Sequence, residues 1–205
     1  MNRQRLSRAS AALAMAMFVA TVFPAHAAEY RIGDQLPNAS SKDRSQNAAG
    51  RFRDIDWLAL VPKDWDPMAE VRSLDLASMK DSDPRAVQAL QRLKEAVRNA
   101  PVQPELEGAK VRIPGFAIPL ERAGDKVTEL LLVPYFGACI HVPPPPPNQI
   151  IHVKLARPAS VRTMEAVYVS GTMKITRADT EWGRVAYAMD AESVAPYEHG
   201  GLRLF

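Results

Sequence analysis

The chain has 205 residues, 26 Lys+Arg against 23 Asp+Glu, a single cysteine and a hydrophobic share of 47%. That length carries one domain with extensions, and the composition excludes a disordered, collagenous or disulfide-stapled chain, since one cysteine cannot close an intramolecular bridge. A net charge of +3 would raise nucleic acid as a partner only if the excess belonged to the folded part.

It does not. Arg3, Arg5 and Arg8 precede an uncharged apolar run from Ala9 to Phe23, followed by Pro24 and the small-residue pattern Ala25-His26-Ala27. This reads as a Sec-type signal peptide over 1–27, cleaved after Ala27, and the expected location is periplasmic or secreted. The apolar run is shorter than the ~20 residues a membrane span needs, so no stable membrane anchor is expected after cleavage. Arg3 and Arg5 are separated by Gln4, which does not support twin-arginine export. Residues 1–27 hold three arginines and no acid, so their removal leaves 23 basic against 23 acidic residues. A nucleic-acid partner loses its electrostatic basis.

Residues 28–52 are small and polar and read as a flexible linker. Residues 53–104 read as a helical arm packing on the main domain. In IDWLALVPKDWDP, Ile55, Trp57, Leu58, Leu60 and Val61 are too apolar to leave in water, so the segment is expected to cover the domain, ended by Pro62 and Pro67. In DPRAVQALQRLKEAVRN, Asp83 suits an N-cap and Pro84 the first helical position, and Ala86, Leu90, Leu93 and Val97 form one stripe expected to dock.

From 105 to 205 the pattern turns strand-like: KVRIPGFAIPL, VTELLLVPYF, IIHVKLA, AVYVSGTMKIT and VAYAMDAESVAP. Val111, Ile113 and Phe116 are the expected inward positions of the first, with Gly115 at a bulge. Five short strands with glycines where a sheet bends predict a mainly β, α+β protein built on a small five-stranded OB-like antiparallel barrel. Trp57, Trp65 and Trp182 read as core or cover.

The chemistry-bearing stretch is LLVPYFGACIHVPPPPPNQIIHV, 131–153. On an extended backbone Cys139 and His141 would share a face, and a thiolate with an imidazole is a natural pair for a transition metal such as zinc. His152, Glu121 or Glu129 would complete the shell, with Glu198-His199 a weaker contact. A plainer reading makes Cys139 a small inert buried residue and His141 and His152 satisfied strand histidines. A third makes Cys139 a nucleophile activated by His141, although nothing marks an oxyanion hole. Pro143 to Pro147 favour polyproline II, on the order of 15 Å long, which suits a rigid loop or a docking element. No phosphate-binding loop, dinucleotide fingerprint, nucleophile elbow or H-E-x-x-H motif is present, and a non-enzymatic role is expected.

The strings VRIPGFAIPLE (111–121) and ELLLVPYFGACIHVPPPPPNQ (129–149) resemble the bacterial exported family known as domain of unknown function 3299, over roughly residues 54–197. The resemblance implies a periplasmic accessory protein working beside membrane components of an ABC-type transporter. It raises the zinc reading of Cys139 and His141 and supplies no catalytic residue. Cys139, His141, Asn148 and Gln149 match its motif. The alternative is a metal-free docking module presenting Tyr135, Phe136, Pro143, Pro147, Asn148 and Gln149 to a partner.

Overall fold

The computed structural model describes residues 30–37, 51–73, 79–80 and 82–197. The signal-peptide reading, most of the linker and Glu198-His199 lie outside the described residues.

Eight elements follow one another: β1 (Arg53–Asp54), α1 (Ala69–Arg72), α2 (Pro84–Arg98), β2 (Lys110–Ala123), β3 (Lys126–Val133), β4 (Ile151–Ala159), β5 (Glu165–Thr180) and β6 (Gly183–Pro196), with short 3-10 turns at Trp57–Leu60, Pro104–Leu106 and Pro147–Gln149. The sheet runs β1-β2-β3-β4-β6-β5, and β5 pairs back onto β2, so the last five strands close a barrel. That is the OB arrangement expected from the strand pattern. It departs from an all-antiparallel barrel at one seam: β4 and β6 run parallel, with Val153 opposite Met189. The chain reaches β6 by way of β5, which lies on β6's other side, so β6 meets β4 without a hairpin between them.

Strict alternation along the strands builds two cores. On β2, residues 111, 113, 115 and 117 point inward; on β3, Leu130 and Leu132 do; Ile151, Val153, Val169, Met173, Tyr187 and Met189 complete the interior. Phe116, expected inward, falls on the even face and joins Ile118, Leu131, Val133, Ile150 and Met164 in a second cluster outside the barrel wall. The inward position beside it is Gly115, and the reason is space. A Cβ there would lie 2.7 Å from Leu132 Cγ and 3.0 Å from the Trp57 ring.

Trp57 reaches this spot from the arm, its Nε1 donating 2.8 Å to the Pro114 carbonyl. Pro114 has no N–H to give to the ladder, yet its carbonyl is used. Leu60 is fully buried, while Leu58, expected to be covered, is 77% exposed. The 3-10 turn explains this: with three residues per turn, Trp57 and Leu60 share a side and Leu58 is rotated away. The fully buried Tyr187 locks the arm to the barrel, its hydroxyl donating 2.8 Å to the Leu60 carbonyl and accepting from Gln103 N–H at 2.7 Å. Burial pushes this phenol's pKa up.

α2 begins as its sequence predicts. Asp83 Oδ1 accepts from Arg85 N–H at 2.9 Å, and Pro84 occupies the first turn. Of its expected stripe, Ala86, Leu93 and Val97 are half-buried and Leu90 stays open. Ala89 is its buried residue and Leu90 is 48% exposed. The helix packs on α1, and its C-terminal end, at Arg98, borders a pocket with Pro147 and the β5–β6 hairpin.

Candidate functional site: the loop joining β3 to β4

Residues 134–150 join β3 to β4, a long connection for neighbouring antiparallel strands, which two to five residues can join. Its order comes from a turn at Gly137. That residue has φ 85°, a conformation open to glycine, and its carbonyl accepts three N–H groups: Ile140 at 3.2 Å, His141 at 2.8 Å and Val142 at 3.3 Å. Its own N–H points at Met164 Sδ, 3.2 Å away.

Cys139 therefore does not sit on an extended strand, the conformation in which it would share a face with His141. Its φ is 64°, in the left-handed region, and it shares one turn with His141. The thiol is half-buried against the outer cluster, and burial pushes its pKa up. His141 is exposed.

A strip from the N-terminal side lies over this turn. Gly33 N–H donates to the Phe136 carbonyl and Phe136 N–H to the Asp34 carbonyl, both at 2.9 Å. Beneath it Tyr30, Phe116 and Phe136 form a ring cluster with centroids 5.0 to 5.9 Å apart. Tyr135 donates its hydroxyl to the Pro143 carbonyl at 3.2 Å. Burial, and then the neighbouring Cys139, push the Tyr135 phenol up.

The proline run is split. Pro143 and Pro144 are exposed, while Pro145 and Pro147 are buried. Asn148 is fully buried, and its Nδ2 donates 2.9 Å to the Pro101 carbonyl at the end of the arm. Among the described residues its Oδ1 has no hydrogen-bond partner. Gln149 lines a shallow groove of about 370 Å³ with Gln35, Asp56, Trp57, Leu58 and Pro134. Of the expected docking residues, Pro143 is open to solvent, Tyr135, Phe136 and Gln149 are partly covered, and Pro147 and Asn148 anchor the loop from inside.

The other expected metal ligands stand on the barrel wall. His152 Nε2 donates to Glu129 Oε2 at 2.8 Å, and Lys154 Nζ lies 3.1 Å from Glu129 Oε1. Burial alone would raise the Glu129 carboxyl; the hydrogen bonds from Lys154 and His152 outweigh it and hold the group below its ordinary value. An ammonium on that carboxylate opposes a second cation there. Glu121 is exposed on β2, opposite Glu129 in the register. Among the described residues, no three His, Cys, Asp or Glu side chains group closely enough to hold a metal ion. The turn supplies two donors. Gly137 and Met164, the residues that fix it, were not singled out by sequence reasoning; Gly137 before Ala138-Cys139 was the available signal.

Comparison with known proteins places this loop within a shared region. The family model described as "Protein of unknown function (DUF3299)" matches residues 57–196. A crystal structure of a DUF3299 family protein (PA4066) from Pseudomonas aeruginosa PAO1 is 36% identical, covering 74% of this chain and all of that one, with a TM-score of 0.57. No curated protein matches.

Proposed function

The chain belongs to the DUF3299 family of proteins of unknown function, and from the geometry of its β3–β4 loop we propose that it is an exported, non-enzymatic accessory module that docks a membrane transporter component. One observation carries this reading: a loop held from inside by Pro145, Pro147 and Asn148 presents Ile140, His141, Pro143 and Pro144 to solvent. A surface already ordered before contact loses little entropy on binding, which favours recognition through a small patch. The export signal read in residues 1–27 would deliver it to the compartment where such a component exposes its outer domain.

The test is site-specific photocrosslinking in cells, with the reactive residue placed at Ile140 or Pro144 and, as control, at the exposed Arg157 of β4. An adduct containing a transporter subunit, formed from the loop positions and not from Arg157, is the expected result. Equal labelling from all three positions, or none from the loop, overturns it.

A second reading has one observation in its favour, the placing of Cys139 and His141 in a single turn. Two donors of this chain would then hold zinc jointly with ligands from a partner. Zinc that raises the melting temperature of the wild type and not of Cys139→Ser supports it; no near-stoichiometric zinc in the complex with the partner rejects it.

A further inference from the structure

Three arginines from three separate elements border one small pocket. Arg98 is the last residue of α2, Arg177 stands on β5 and Arg184 on β6. With Asp179 they line a cavity of about 230 Å³ whose walls include Ala100, Pro147 and Val185. The hairpin register explains two of these positions, since Asp179 lies opposite Arg184 and Ala178 opposite Val185. The third is tied to this corner from behind: Asn148, next to Pro147, donates its Nδ2 to the carbonyl of Pro101, three residues past Arg98, at 2.9 Å.

The charges around this cavity do not balance. Asp179 rests on Arg184 alone, Oδ1 accepting from Nε at 2.9 Å and Oδ2 from Nη2 at 3.4 Å. Arg98 and Arg177 have no ion-pair partner among the described residues. Three guanidinium groups against one carboxylate leave an excess of two positive charges at the pocket. The C-terminal end of α2 offsets only about half an elementary charge of that. The Asp179 side chain is 75% exposed, so it can turn into solvent and release Arg184 to another anion.

We propose that this pocket binds a phosphate dianion, as the free ion or as a small monoester. Two uncompensated guanidinium groups match two negative charges. A carboxylate is satisfied by one guanidinium fork, as Asp179 shows on Arg184, whereas the oxygens of a tetrahedral phosphate point in several directions and can engage arginines arriving from a helix end and two strands. The cavity is smaller than the roughly 300 Å³ at which pockets for larger organic ligands begin, which leaves room for phosphate and a short substituent against Ala100, Pro147 and Val185. Arginine stays protonated at any ordinary pH, and Arg184 holds the Asp179 carboxyl below its usual range. The ligand is therefore the group that titrates near neutrality, a phosphate monoester gaining its second charge at about pH 6. Ile140, His141, Pro143 and Pro144 lie outside the pocket lining, so this proposal and the docking role of the β3–β4 loop can each fail alone.

The experiment is thermal melting of the purified protein titrated, at constant ionic strength, with inorganic phosphate, phenyl phosphate, succinate or chloride. The expected result is a saturable rise in melting temperature with both phosphates, a weaker one with succinate, and for phenyl phosphate tighter binding at pH 7.5 than at pH 5. Equal affinity for the two phosphates assigns the free ion as sufficient; tighter binding of phenyl phosphate assigns a monoester. Arg98→Ala and Arg177→Ala should each weaken binding at least about ten-fold, with melting of the unliganded protein nearly unchanged because both side chains are exposed. Asp179→Asn removes the competing carboxylate and should tighten binding, and Arg157→Ala on β4 should leave it unaltered. A rise that does not saturate or that chloride reproduces, succinate as effective as phosphate, or arginine variants that bind like wild type overturns the proposal. Weaker binding by Asp179→Asn overturns it too, since the carboxylate would then belong to the site instead of competing for it.

Discussion

Cys139 joins a left-handed backbone to a half-buried thiol whose pKa burial raises. The raised pKa argues against a poised nucleophile, since reactive cysteines have depressed pKa values and electropositive surroundings. Alkylation of the native protein near pH 8 is expected to run slower than in the urea-unfolded chain. Because the folded thiol titrates above its ordinary value, the native rate should still be climbing at a pH where the unfolded rate has levelled. A native rate equal to the unfolded one across that range contradicts the burial. Motif spacing identified Cys139 and His141 as neighbours; it did not reveal the turn, because the same two residues share a face on a strand and share a turn around a glycine carbonyl. Which applies is set by Gly137 and by Met164, which lies 27 positions downstream.

Among the elements, β3 and β4 show how alternation sorts function from structure. Leu130 and Leu132 fill the barrel, and on the other face Glu129 pairs with His152 and Lys154. The carboxyl of Glu129 titrates below its ordinary 4.5 in the folded protein. Its stabilising contribution is therefore complete above that ordinary value and is lost as pH falls through the lowered folded one. Glu129→Gln should lower stability at pH 6 by about 0.5–1 kcal/mol and leave it nearly unchanged near pH 3; urea midpoints at the two pH values read the difference. A variant equally destabilised at both pH values would show that packing, not the ion pairs, is what Glu129 supplies. At α2, Asp83 and Pro84 mark where the helix starts. The direction of its stripe stayed open, because periodicity says which residues share a face and not what covers that face.

For the whole molecule, the arm and the barrel meet at Tyr187. Its hydroxyl joins the Leu60 carbonyl and Gln103 N–H, groups on either side of the α1–α2 excursion. Tyr187→Phe leaves the buried Leu60 carbonyl and the half-buried Gln103 N–H without their partner and should cost about 1–3 kcal/mol. Hydrogen exchange is expected to quicken at residues 57–61 and 103 before the barrel strands are affected; exchange unchanged in the arm would mean that Trp57 and Leu60 hold it unaided. Neutral charge after residue 27 and five strands able to close a barrel were legible from residue types alone, since charge is additive and strand periodicity is local. The parallel β4–β6 seam, the second core around Phe116 and the split of the proline run were decided only in three dimensions. Each depends on what lies opposite a residue, and for Gly115, Asn148 and Tyr187 the opposite group comes from a distant part of the chain.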